Sequence, residues 1–98
     1  MTPEAKVKKK VREILDDLGI YYFFPPANGY GRAGIPDVIG CFNGRFIAIE
    51  CKAGKGKTTA LQERELERIA DAGGYSVVVN EDNLAELKEQ LWLMTQTN

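Results

Sequence analysis

Residues 34–52 read Gly34-Ile35-Pro36-Asp37-Val38-Ile39-Gly40-Cys41-Phe42-Asn43-Gly44-Arg45-Phe46-Ile47-Ala48-Ile49-Glu50-Cys51-Lys52, and this stretch decides the fold. Val38 to Phe42 and Arg45 to Lys52 are two β-prone runs. Between them stands Asn43-Gly44, a dipeptide suited to a two-residue hairpin turn because both positions can adopt positive φ. If these two residues form the loop, cross-strand partners carry numbers that sum to 87. Phe42 then faces Arg45, and Asp37 faces Glu50, with Cβ atoms ~4.5–5.5 Å apart on one side of the sheet. Lys52, two residues beyond Glu50, shares that side. A slip of one residue would send Asp37 to the other face.

Outward from the hairpin, the remaining elements follow from periodicity and punctuation. Thr2-Pro3-Glu4 reads as a helix start, with a capping hydroxyl, a proline at the first position and then an acid. Val7, Val11, Ile14, Leu15 and Leu18 form one apolar stripe that Gly19 ends. Ile20 to Phe24 is a short β-prone run, and residues 25–36 are a glycine-rich loop. Ala53 to Lys57 is a basic turn, and Thr58 or Thr59 opens a second helix. Leu61, Leu66, Ile69 and Ala70 are its expected inward side, and Gly73-Gly74 stops it. Tyr75 to Val79 has strand length, and Asn80 is a candidate cap for a last helix carrying Leu84, Leu87, Leu91 and Met94. The order is α-β-β-β-α-β-α, an α/β fold. A strand, a helix and a strand in succession imply a crossover, so a mixed sheet flanked by helices on both faces is expected. There is no internal repeat or linker, and residues 1–98 are expected to form a single domain.

Composition narrows the chemistry. The chain has 98 residues, 44% hydrophobic and 28% charged, and no histidine. Cys41 and Cys51 make no C-x-x-C pair. Most zinc sites and the Ser-His and Cys-His nucleophiles are thereby removed, and any metal must be held by oxygen, which favours Mg²⁺, Mn²⁺ or Ca²⁺. No apolar run reaches the ~18 residues of a membrane span, and no signal-peptide core opens the chain, so a cytoplasmic protein is expected. The net charge of −1 hides an asymmetry: residues 1–57 hold ten Lys/Arg against six Asp/Glu, and residues 58–98 hold three against eight. The basic first part permits a phosphate-backbone partner. Lys6, Lys8, Lys9, Lys10 and Arg12 make one basic run, either a DNA contact, with Lys8 the candidate, or a solvated helix face.

Two opposed carboxylates repel unless something positive lies between them. A divalent cation held by Asp37 and Glu50 answers that need, and Lys52 is a second positive group beside it. The backbone carbonyl of Cys51 is placed as a further metal ligand, while its side chain points to the opposite face. Surface ion pairing is the plainer alternative. Against it, the strand around Glu50 is otherwise apolar (Phe46, Ile47, Ala48, Ile49), and buried charges are rarely left without a partner.

Pro36-Asp37 followed by Glu50-Cys51-Lys52 resembles the PD-(D/E)XK nuclease superfamily. With Gly34-Ile35 before and the helix bearing Gln62 after, the chain is similar to its virus-type replication-repair nuclease domain, VRR-NUC, over roughly residues 2 to 94. The resemblance implies a metal-dependent DNA endonuclease with catalytic Asp37, Glu50 and Lys52, and a Holliday-junction-resolvase-like preference for branched or four-way junction DNA. It also implies a homodimer and an acid from the first helix near the metal. Glu4 fits that role because it shares the side of Val7 and Val11, whereas Glu13 points away. Gln62 resembles the accessory glutamine of such sites, but Thr59-Ala60-Leu61-Gln62 is equally a capping box. The alternatives are a non-catalytic DNA-binding subunit that kept the fold, and a restriction-type nuclease that reads bases.

Gly29-Tyr30-Gly31-Arg32-Ala33-Gly34 matches G-x-G-x-x-G, but it runs into Ile35-Pro36 and a strand rather than a helix. No nucleotide cofactor is expected from it. Tyr30 and Arg32 are read instead as DNA contacts, as are Lys55 and Lys57 in the basic turn; a flexible surface arginine and a plain solvated turn are the alternatives. Trp92 and Leu93 fall off the last helix's apolar stripe, which marks either a candidate partner surface or a chain end folded over the core rim.

Overall fold

The hairpin turn forms as its dipeptide requires, with Asn43 at φ 53° and Gly44 at φ 77°. The computed structural model describes residues 1–26 and 33–96, so the candidate DNA contacts Tyr30 and Arg32 lie outside the described residues. The chain runs α1 (Pro3–Asp17), β1 (Tyr21–Phe23), β2 (Val38–Phe42), β3 (Arg45–Cys51), α2 (Ala60–Asp71), β4 (Tyr75–Val79) and α3 (Leu84–Met94). One four-stranded sheet has the order β1-β2-β3-β4. The β1–β2 and β2–β3 pairs are antiparallel, and β3–β4 is parallel across the α2 crossover. The mixed sheet and the order of elements are those expected from the sequence.

Alternation along the strands sorts the side chains. Ile47, Ile49, Cys51, Val38 and Val79 form one core with Val7, Val11 and Leu15 of α1 and Leu87 and Leu91 of α3. Burying each of these aliphatic side chains contributes about 1.5–3 kcal/mol. Helix α2 lies on the other face, where the Ser76 hydroxyl donates to the Leu66 carbonyl at 2.8 Å. Helices therefore cover both faces, but not evenly, because α2 sits mainly against β4.

Three local expectations are corrected. Asn80 does not cap the last helix: its Oδ1 accepts from Asp82 N and its N–H donates to Asn83 Oδ1, both at 2.8 Å. It heads a side-chain-closed turn instead, and Asn83 stands at the cap position of α3. The inward side of α2 is Leu66 with the half-buried Ile69, while Leu61 is exposed and Ala70 likewise. Finally, β3 ends at Cys51, although the Lys52 N–H still donates to the Val79 carbonyl at 2.8 Å.

Candidate active site

The hairpin register pairs Val38 with Ile49 and Phe42 with Arg45. Carried one residue further, it sets Asp37 opposite Glu50. A two-residue hairpin makes Phe42–Arg45 a hydrogen-bonded pair, and the alternation of the antiparallel ladder makes 37–50 a non-hydrogen-bonded one. In such pairs the Cα atoms approach to ~4.5 Å and the side chains are closest. The next position, 36–51, is again a hydrogen-bonding one, so the Cys51 N–H and carbonyl both face Pro36. Proline has no N–H to give that carbonyl. The Cys51 N–H goes instead to Asp37 Oδ2 at 2.8 Å. Pro36 thus leaves a backbone oxygen without its ladder donor beside the two carboxylates.

Glu50 is only 3% exposed. Its Oε2 accepts from Gln62 Nε2 at 3.3 Å and lies 3.5 Å from Lys52 Nζ. Its Oε1 is buried without a hydrogen-bond partner among the described residues. Burial, then the charge of Asp37 and a hydrogen bond with it, push the Glu50 carboxyl up to about 7, against the opposing pull of Lys52. An orphaned buried carboxylate oxygen with a second acid opposite is the donor set of a hard cation. The residues present fit a divalent metal held by Asp37, Glu50 and the Cys51 carbonyl. The Cys51 side chain takes no part: burial and the nearby Asp37 and Glu50 charges push its thiol up to about 12.

Gln62 answers both readings of its sequence at once. Thr59 Oγ1 accepts from Gln62 N at 3.2 Å, and Gln62 Oε1 accepts from Thr59 N at 2.9 Å, a complete capping box. That leaves the amide nitrogen to face Glu50. Gly34 holds the strand entrance against the same helix turn. At φ +84° it takes a left-handed conformation, and a Cβ there would come within 2.5 Å of the Leu61 carbonyl.

Glu4 is not brought into a three-acid cluster; no group of three His, Cys, Asp or Glu among the described residues could hold a metal. Its Oε2 lies 3.6 Å from Lys8 Nζ, which is also 3.8 Å from Asp37 Oδ1. Lys8 therefore links the first helix to Asp37 while its side chain stays 35% exposed. Sequence reasoning missed this contact, although the i,i+4 spacing of Glu4 and Lys8 was a signal for their half of it. Lys55 and Lys57 are exposed on the turn after β3. The Gly54 N–H in that turn donates to both Glu81 carboxylate oxygens, at 2.9 and 3.2 Å, a tether no sequence pattern announced.

The family model described as archaeal Holliday junction resolvase (Hjc) matches residues 5–81. The chain is also 35% identical over 81 residues to "Putative nuclease p44" of Acyrthosiphon pisum secondary endosymbiont phage 1, covering 82% of this chain and 84% of the relative. The matched span contains Asp37, Glu50, Lys52 and Gln62, and the superfamily read from those residues stands, with the match falling on its junction-resolvase branch. The chain belongs to the archaeal Holliday junction resolvase (Hjc) family, a family of PD-(D/E)XK-like, metal-dependent nucleases.

Proposed function

We propose that this nuclease is an endonuclease that hydrolyses phosphodiester bonds in branched DNA, four-way junctions above all, with Mg²⁺ or Mn²⁺ as cofactor and two copies acting together. The observation that carries the reading is the buried Glu50 Oε1, without a partner among the described residues and set across the hairpin from Asp37. The cation these residues would hold supplies Lewis acidity toward the scissile phosphate and the attacking water.

The chain's own groups do the rest. Asp37 and Glu50 supply the negative charge that selects a divalent ion. Lys52, with its side chain 15% exposed, is reachable from solvent yet held beside Glu50. Its ammonium orients the nucleophilic water and offsets charge that builds on the phosphate. Gln62 fixes the Glu50 carboxylate. Lys8, Lys55 and Lys57 give the phosphate backbone its positive contacts, and these position the DNA without reading sequence. Branched DNA is the substrate of the matched family by its description. A chain of this size that recognises shape through a two-fold pair has a route to selectivity. No helix among the described residues is long and apolar enough to cross a membrane. The proposed DNA substrate supports the cytoplasm of a bacterial or phage-infected cell as the location of the work.

The test is cleavage of a labelled four-way junction and its linear arms with Mg²⁺, Mn²⁺ or EDTA. Metal-dependent paired nicks confined to the junction are expected. Equal cutting of the linear arms would remove the junction preference, and binding without cutting under either metal would overturn the catalytic reading.

A further inference from the structure

We propose that Lys8 is the resident counter-ion of the metal-free site: its ammonium holds Asp37 until a divalent ion takes that oxygen, and the displaced side chain then grips a backbone phosphate of the DNA. The inference rests on the reading of Asp37 and Glu50 as a metal site, and it assigns the residue that sets the site's affinity and couples it to substrate.

The two acids offer their oxygens differently. On Glu50, Lys52 and Gln62 both engage Oε2, and Oε1 is buried without a partner among the described residues. That oxygen can be given to a metal with Lys52 left in place. Asp37 has no such vacancy. Its Oδ2 accepts from the Cys51 N–H at 2.8 Å, and Lys8 Nζ stands 3.8 Å from its Oδ1. The oxygen left for a metal is thus the one that faces the ammonium. A lysine and a divalent ion on one carboxylate oxygen repel each other, so loading the site requires Lys8 to leave.

The side chain is held in a way that lets it leave. At 3.8 Å from Asp37 Oδ1 and 3.6 Å from Glu4 Oε2, the ammonium is beyond hydrogen-bond reach of both acids and is kept there by charge alone. Its side chain is 35% exposed, against 15% for Lys52. The flexible aliphatic stem can turn outward without moving the backbone of α1. Arg12, one turn further along α1, does not compete for Asp37, because its guanidinium lies over the Phe24 ring, 4.5 Å from the centroid. In the metal-free protein Lys8 is neutralised by two acids and adds little to DNA binding. Once displaced it is an uncompensated cation beside the reactive centre, where a phosphate is the available partner. Metal and DNA then favour each other's binding, and the coupling is reciprocal.

The test uses the full chain and three readouts. Without DNA, electron paramagnetic resonance titration should show Lys8→Met binding Mn²⁺ about 10-fold more tightly than wild type, with Lys8→Arg close to wild type. Lys9→Met removes the same charge at a neighbouring exposed position of α1 and should change Mn²⁺ affinity less than about 2-fold. In wild type, acylation of the Lys8 amine by an N-hydroxysuccinimide ester, read by peptide mass spectrometry against Lys9, should rise when Mn²⁺ replaces EDTA. Gel shifts on a four-way junction should show Lys8→Met equal to wild type in EDTA but weaker in Ca²⁺, with the salt slope in Ca²⁺ reduced by about 1. Circular dichroism checks folding, and the acylation arm needs no variant. Equal Mn²⁺ affinity in wild type and Lys8→Met, or Lys8 acylation indifferent to Mn²⁺, overturns the proposal and leaves the metal site standing. Junction binding weakened equally in EDTA and Ca²⁺ overturns the coupling. No Mn²⁺ binding by any of these proteins removes the metal reading itself, and the proposal with it.

Discussion

Gln62 holds Glu50 through an amide whose two ends are both committed: Oε1 to the Thr59 N–H at 2.9 Å and Nε2 to Glu50 Oε2 at 3.3 Å. The side chain that helps start α2 is therefore the side chain that aims the site's buried carboxylate. Gln62→Ala should lose both. A stability loss of about 1 kcal/mol is expected from the cap. Cleavage should fall further than that destabilisation accounts for, with the loss in kcat rather than KM. Denaturant melts beside single-turnover cleavage check the split.

Lys52→Ala should abolish junction cleavage, by 10²-fold or more if its ammonium acts on the reacting phosphate and water, while sparing DNA binding. Gel-shift titration next to cleavage assays measures both. Unchanged cutting would remove Lys52 from the reactive centre.

Asp37 carries a structural bond as well as a charge, and two substitutions separate them. Asp37→Asn keeps an oxygen for the Cys51 N–H, so the fold should hold while Mn²⁺ affinity and cleavage are lost. Asp37→Ala also leaves that N–H without an acceptor, which costs about 1–3 kcal/mol more. Thermal melts and Mn²⁺ titration by electron paramagnetic resonance distinguish the pair.

The raised carboxyl of Glu50 gives stability a pH dependence. Its pKa in the folded chain, about 7, lies above its value in the unfolded chain, ~4.3. The folded state thus binds a proton that the unfolded state has released. The associated stability is fully present below the unfolded value, declines from there and is lost as pH rises through 7; a shift of this size corresponds to roughly 4 kcal/mol. In EDTA, melting temperature should carry this downward slope between pH 4.5 and 7.5. Glu50→Gln should flatten it, and Mg²⁺ should oppose it by favouring the ionised pair.

Gly34→Ala tests how β2 is delivered to the site. The new Cβ would meet the Leu61 carbonyl at 2.5 Å from a backbone at φ +84°. A destabilisation above 1 kcal/mol is expected, with cleavage reduced because Asp37 and the Gln62 turn shift relative to each other.

Much of this arrangement was legible in the chain itself. Asn43-Gly44 dictates the turn, a two-residue turn dictates the register, and the register sets Asp37, Glu50 and Lys52 on one face. Each step is local, governed by positive φ and a period of two, so no distant contact is needed to draw it. The capping box at Thr59–Gln62 is local in the same way. The apolar stripe of α1 likewise named Val7, Val11 and Leu15, because one helix face must be buried for the chain to fold.

What only the tertiary structure decided involves residues far apart in sequence. Which sheet face each helix covers, and how much of it, depends on the crossover and on packing, so the exposure of Tyr21, Phe23 and Phe46 was not readable from strand propensity. The bridge from Lys8 to Asp37 joins positions 29 apart, and the Glu81 tether on Gly54 spans 27. Asn80 illustrates the limit at short range: an asparagine before a helix can cap it or close a turn ahead of it, and here it closes the turn while Asn83 takes the cap position. Periodicity selects the face of an element, whereas the packing of elements against one another selects which groups meet there.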